Sequence, residues 1–291
     1  MVFLLLFGCE DNETKIFASF NGTTGDKTGR RPGLTAGIVS LSVTDAKPLL
    51  PSGTEEVWIT FEEVLLHKEG GEWIGLPLIQ KPYTIDLLQY HSGDTTDLIR
   101  TVSLQSGTYD RIRILIGRAL VMRNGKFYPV VISSDNLTME ENFSFELDEG
   151  GAADLTLDFD LSLSLSATGS SAAPSYELLP VLHLNHTQDA ARIHGQIAAA
   201  TFDEFDSNEA IVTVYEDSDL SGSLTLNDKE YTRIRVDEDS GAFTIFWLVP
   251  EEGYSIAVEV DGTAPAEYEE FVYPADLQKG GLFELNYGNP L

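Results

Sequence analysis

Cysteine is almost missing from this sequence: Cys9 stands alone in 291 residues. One thiol cannot close an internal disulfide, so no covalent framework staples the fold. Basic residues are scarce as well, 18 Lys and Arg against 47 Asp and Glu, for a formal charge of −29. That balance argues against nucleic acid as a partner, because phosphate backbones are held by clusters of Lys and Arg. It argues equally against docking on anionic lipid headgroups. No apolar run reaches the roughly 18–20 residues that a spanning helix needs. Common catalytic signatures are also missing: there is no G-x-S-x-G elbow, no H-E-x-x-H pair and no P-loop. What is present, 42% hydrophobic and 10% aromatic residues, supplies a folded core rather than a disordered chain.

The lone cysteine ends an apolar stretch, Met1-Val2-Phe3-Leu4-Leu5-Leu6-Phe7-Gly8-Cys9, and Glu10-Asp11 follow at once. This reads as the hydrophobic region of an export signal without its basic flank, which places the true translation start upstream or the first residues as trimmed. Leu6-Phe7-Gly8-Cys9 resembles the lipobox of bacterial lipoproteins, in which the Cys is acylated and becomes the new N-terminus. The resemblance implies lipidation at Cys9, residues 1–9 as a signal remnant, and a membrane partner reached through the lipid. Several acyl chains hold far more firmly than one. Residues 10–33, with the Gly- and Thr-rich run Phe17 to Pro32, suit a flexible tether. Glu10 after the cysteine, instead of Asp, favours the outer membrane or cell surface over the inner membrane.

Beyond the tether, alternation of period two dominates. Leu155 to Leu165 is the clearest case: odd positions are apolar, even ones Thr, Asp or Ser. This predicts a strand with one packed face and one wet face. Similar runs are Ile38 to Val43, Val57 to Leu66, Ile112 to Val121, Phe143 to Leu147 and Ile211 to Tyr215. Glu69-Gly70-Gly71-Glu72 and Arg123-Asn124-Gly125-Lys126 mark hairpin turns, the Asn-Gly pair because both residues tolerate positive φ. A boundary falls near His186 to Ala191, after which the chain becomes more acidic, with 21 acidic and 5 basic side chains in residues 192–291. The expected fold is all-β, two β-sandwich domains in series over residues 34–188 and 189–291.

The first unit resembles the bacterial family known as domain of unknown function 4382. The resemblance rests on an ordered series: Gly37 to Ala46 with its Thr-Asp-Ala turn, Glu56 to Val64, Asp86-Leu87-Leu88, Gly107 to Arg113, and Leu155 to Asp160. That family is typical of exported lipoproteins and brings no catalytic residues. The second unit looks like the carboxypeptidase regulatory-like modules of prealbumin (transthyretin-like) fold, through Asp237 to Ile245, Leu248-Val249-Pro250 and Gly253 to Ile256. Such modules are non-catalytic spacers or interaction domains, and the resemblance implies that role here.

Candidate site residues are few. Acidic clusters at strand ends of the second unit supply Asp203, Asp206, Asp217, Asp219, Asp237 and Asp239 as ligands for Ca²⁺, a hard cation that takes six to eight oxygens; the plain reading is a solvated acidic face. No other cofactor is indicated. His183 and His186 lie three apart, on opposite faces of a strand, so a metal site there needs a bend and further donors. Trp73, beside a Gly-Gly turn, is the candidate for ligand stacking, while Trp58 and Trp247 sit in apolar strands and are expected in the core. The whole reads as an exported, lipid-anchored envelope protein with a non-catalytic binding or structural role and a glycan or envelope protein as partner. The alternatives are a carbohydrate-binding surface module, strand addition at an open sheet edge, and a carboxylate-dependent hydrolase.

Overall fold

Strands occupy most of the described chain, because the alternating pattern gives each segment one face to bury. The computed structural model describes residues 35–45, 48–170, 173–205, 209–237, 239–260, 269–272 and 276–287. Cys9, the signal remnant and the tether lie outside them.

Among the described residues twelve strands build the first core. They are β1 (Ala36–Thr44), β2 (Thr54–Lys68), β3 (Trp73–Leu76), β4 (Tyr83–Asp86), β5 (Thr96–Gln105), β6 (Gly107–Arg123), β7 (Lys126–Ile132), β8 (Thr138–Leu147), β9 (Ala152–Phe159), β10 (Leu165–Ala167), β11 (Tyr176–Leu178) and β12 (Leu182–His186). A four-stranded sheet runs β12-β9-β1-β5, with β1 and β9 parallel. It faces an eight-stranded sheet ordered β10-β11-β7-β6-β2-β3, with β4 added to β2 and β8 to β6. Val39, Leu41 and Val43 from the first sheet meet Val57, Ile59, Phe61 and Ile112 from the second in one buried cluster.

The two longest strands keep their apolar residues inward by changing phase. In β2 the buried set is Val57, Ile59 and Phe61, then Val64 and Leu66; in β6 it is Ile112, Ile114 and Ile116, then Ala119 and Val121. Both switches coincide with register shifts around Phe61–Glu63 and Ile116. A bulge there lets 15- and 17-residue strands bend around the core without turning their apolar face outward. The Asn124-Gly125 turn joins β6 to β7 with φ of 50° and 67°, the positive-φ pair that such a hairpin requires.

Among the described residues seven strands build the second core: β13 (Ala191–Ile197), β14 (Glu209–Glu216), β15 (Lys229–Asp237), β16 (Ala242–Leu248), β17 (Tyr254–Val260), β18 (Glu269–Val272) and β19 (Leu282–Tyr287). A three-stranded sheet, β16-β13-β19, packs on a four-stranded one, β15-β14-β17-β18, around Ile193, Val212, Val214, Ile256 and Val258. Both stacks lie within one compact unit, Thr35–Leu291.

Three expectations from the sequence need correction. The Leu155–Leu165 alternation is not one strand: β9 ends at Phe159, and a one-turn helix, α1 (Leu161–Ser164), follows. Asp160 caps it, its carboxylate accepting from Leu163 N at 2.8 Å, so a local side-chain bond outweighs the strand pattern. Nor is the polar face wet. Thr156 is 0% exposed, Asp158 1% and Asp160 0%. Asp160 abuts Thr232 and Glu230 of β15, so this face is covered by protein where the pattern predicts solvent. The third correction concerns Trp58, which is half-buried and lies out of phase with buried Val57 and Ile59. It is therefore on the outer side of its sheet, and its indole N–H donates to Glu56 at 2.6 Å. Trp247 is also only half-buried.

Candidate functional site

Where the two stacks meet, side chains of the first bond to backbone of the second. His183 Nε2 donates to the Tyr231 carbonyl at 3.0 Å, and the two rings stack at 3.9 Å with 20° between their planes. Asn185 Nδ2 and the Tyr231 hydroxyl both donate to the Trp247 carbonyl, at 2.7 and 3.0 Å. Trp247 has φ +62° and sits in the two residues of β16 skipped between Ala191–Leu248 and Ile193–Ile245. That bulge turns its carbonyl toward both donors. Ser162 on α1 completes the seam: its hydroxyl donates to the Arg233 carbonyl at 3.0 Å and accepts from Leu49 N at 2.7 Å.

Beside this seam opens a cleft of about 490 Å³. Strand β8 contributes Glu141 and Phe143, β12 contributes His183 and His186, and the second stack contributes Tyr231 and Tyr254. Both histidines line it although three residues apart, because β12 is the rim strand of its sheet and the cleft wraps around it. Burial lowers the pKa of His183 to about 4 and that of His186 below the usual range, so neither is charged at neutral pH. Burial also raises Glu141, with Lys229 pulling the other way. Both tyrosines are held as phenols by burial. Asp160, under the seam, is pushed up to about 6 by burial, partly offset by Thr232 and Leu163 N.

The sequence-predicted cation ligands are only partly brought together. Asp217 and Asp219 converge with Asp228, one oxygen from each lying within 4.8 Å of the others. Asp217 is buried and accepts from Ser221 N and Gly222 N at 3.0 and 3.1 Å. Asp219 also accepts from Ser221 N, and Asp228 from Thr225 N. These bonds account for the cluster as turn structure; its remaining lone pairs are hard-cation ligands by chemistry. Asp203 is exposed on α2 (Ala199–Phe205) and Asp239 is exposed in the turn before β16, neither belonging to that trio. Asp206 and the side chain of Asp237 lie outside the described residues.

Trp73 is half-buried, and its ring already has company. The Arg113 guanidinium stands 4.1 Å from its centroid, Arg111 5.3 Å and the His67 ring 5.2 Å. Glu140 holds both arginines at 2.8 and 2.7 Å, so this is a cation–π assembly closed by ion pairs. Sequence reasoning missed the outer strip formed by Trp58, Leu120 and Pro129, next to Met122 and Phe127. Phe127 is 56% and Val131 58% exposed. The phase of Val57 and Ile59 carries the signal that places Trp58 outside.

Among solved structures, the shaft pilin SpaA from Lactobacillus rhamnosus GG aligns at 9% identity and TM-score 0.22, covering 88% of this chain and 99% of that one. The pilus backbone protein RrgB from Streptococcus pneumoniae aligns at 9% identity and TM-score 0.19, with 88% and 64% coverage. The major pilin T-13 from Streptococcus pyogenes aligns at 14% identity and TM-score 0.16, with 84% and 92% coverage. At such TM-scores these superpositions carry no argument about role. No curated protein sequence matches the chain. Residues 36–180, nearly all of the first stack, match the family model described as Domain of unknown function (DUF4382).

Proposed function

We propose that this is an exported protein, lipid-anchored through Cys9 at the cell envelope, whose role is binding or structural rather than catalytic. In this reading the tether gives reach, the DUF4382-like stack and the cleft present a binding surface, and the C-terminal stack serves as the spacer or interaction module that the carboxypeptidase regulatory-like resemblance implies. One observation carries it. The most deeply buried titratable groups at the seam are spent on structure: Asp160 caps α1, His183 is tied to Tyr231, and Asp45 accepts from Leu161 N at 3.1 Å. Glycoside cleavage needs two carboxylates that reach substrate, whereas Asp158 and Asp160 are sealed from solvent.

The anchor is tested by growing cells with labelled palmitate. Incorporation into the native protein and its loss in Cys9→Ala supports lipidation; an unlabelled protein in the soluble fraction refutes it. The non-catalytic role is tested by incubating purified protein with glycoside and ester substrates, where turnover that follows the protein through purification overturns it.

A carbohydrate-binding role is favoured by one feature, the exposed strip around Trp58 and Phe127, since sugars stack on aromatic faces; a glycan array with Trp58→Ala as comparison decides it. For Ca²⁺ the trio Asp217, Asp219 and Asp228 is the proposed seat. Millimolar Ca²⁺ is then expected to raise the melting temperature of the native protein and not of Asp219→Asn. An unchanged melt removes the ion.

A further inference from the structure

The cleft beside the seam has a definite electrostatic character. Among the described residues five carboxylates line it, Glu141, Asp189, Glu216, Glu251 and Glu252, against one cation, Lys279. Lys279 is already engaged by Asp189 at 3.1 Å. Its two histidines add no charge at neutral pH, because burial holds both in the neutral form. Between the acids lie the half-buried rings of Phe143 and His186, which pack at 5.4 Å, while Tyr231 and Tyr254 are buried beneath them in the second stack. Carboxylates and an aromatic ring lining one cleft attract a cation twice, by charge and by ring quadrupole.

A separate feature points to an occupant that donates hydrogen bonds. His183 gives its Nε2 proton to the Tyr231 carbonyl, and in a neutral ring this leaves Nδ1 as a bare acceptor. No hydrogen bond among the described residues reaches that nitrogen, although the side chain is packed against Tyr231 and lines the cleft. It is not one of the sealed polar atoms without a partner, so it is open to the cleft, where an N–H donor of an occupant can take the place of water. The volume, about 490 Å³, suits a group of side-chain size on its stem and excludes a folded protein surface.

We propose that this cleft binds an organic cation with N–H donors, an ammonium or guanidinium group on an apolar stem, supplied by a free polyamine or by a Lys or Arg side chain of a peptide. The proposal rests on the reading of the chain as a binding protein and gives that reading a ligand class. Its chief competitor is diffuse attraction, since a chain of charge −29 draws in any polycation.

Calorimetric titration separates the two. Spermidine and a capped Gly-Lys-Gly-Arg-Gly peptide are titrated into the native protein at low salt and at about 150 mM, where unpaired surface charges are screened beyond about 8 Å. Two double variants carry the same change in charge: Glu141→Gln with Glu252→Gln in the cleft, and Glu69→Gln with Glu149→Gln in exposed turns outside it. Binding that persists in salt, weakens about tenfold in the cleft pair and in Phe143→Ala, and changes little in the turn pair supports the proposal. Melting temperature confirms that each variant is folded. Spermidine alone binding names the free amine as the source; the peptide alone binding names the side chain. Equal losses in both pairs, disappearance of binding in salt, or no binding of either probe overturns it. Those failures leave the anchoring reading standing, because palmitate incorporation reports on that independently.

Discussion

At the residue scale, Asp160 and His183 titrate in the same window with opposite signs. The folded state raises Asp160 from 3.8 to about 6, so it holds a proton that the unfolded chain has released. Stability from this group is therefore full below about pH 4 and lost as pH rises to about 6, a penalty at neutral pH of about 3 kcal/mol. His183 is lowered from 6.5 to about 4. Its contribution is full above about pH 6.5 and is lost as pH falls toward 4, again by about 3 kcal/mol. Around Asp160 stand Glu230, Thr232, Asp158 and Tyr231; near His183 stands Lys229. The native protein is thus expected to show little net slope from this pair between pH 4 and 6. Asp160→Asn, which keeps an N-cap oxygen, is expected to be more stable at pH 7 and to lose stability steadily on acidification. In His183→Gln the slope reverses, stability rising as the solution is acidified from pH 7. Urea melts across that range check both, and a flat profile for Asp160→Asn contradicts the account.

This pair also marks a limit of what was legible. Thr156, Asp158 and Asp160 alternate with leucines as a solvated face does. Period two reports that one face differs from the other, not whether water or a second stack covers it. The Asp160 cap was hidden for a related reason: a carboxylate two residues into a polar face gives no local sign that its oxygen will turn back onto Leu163 N.

At the element scale, the strands and hairpins were readable because side-chain period and turn chemistry are local properties. The phase changes in β2 and β6 were readable too, in the jump from Phe61 to Val64 and from Ile116 to Ala119, once both are assigned to one core. Sheet order was not, since the parallel β1–β9 pair joins segments more than a hundred residues apart. Two elements invite direct tests. Gly195 on β13 pairs with Phe243, and a Cβ there would overlap the Phe243 ring. Gly195→Ala is expected to cost about 1–3 kcal/mol through displacement of that buried ring, read from denaturant midpoints; a neutral result shows that Phe243 has room to move. In the turn after β14, Asp217 serves two backbone N–H groups at once. Asp217→Ala is expected to destabilise by about 1–3 kcal/mol with or without Ca²⁺.

At the scale of the whole molecule, the seam relies on polar bonds rather than on a shared apolar core: the two buried clusters contain no residue in common. Cleft residues come from positions as distant as 141 and 279, which is why the site could not be read from any one segment. A polar seam that is fully paired couples its two halves; one that is partly paired does not. Calorimetry of the native protein is expected to show one transition. Asn185→Ala combined with Tyr231→Phe removes both donors to the Trp247 carbonyl and is expected to divide it into two. A single transition in the double variant means that these two bonds are not what couples the halves.

The rim position of β12 has a last consequence. A bare outermost strand invites a neighbouring chain to zip onto it, the usual route to unwanted fibres and to donated-strand assembly alike. Here His183 and Asn185 on that strand are committed to Tyr231 and Trp247, so the molecule guards this margin with its own second half. Polymerisation through β12 would first have to pull the two halves apart, and at the opposite margin of the same sheet, β5, the Leu98 carbonyl is already taken by Ile79 N at 2.9 Å, so a foreign strand would have to displace that segment.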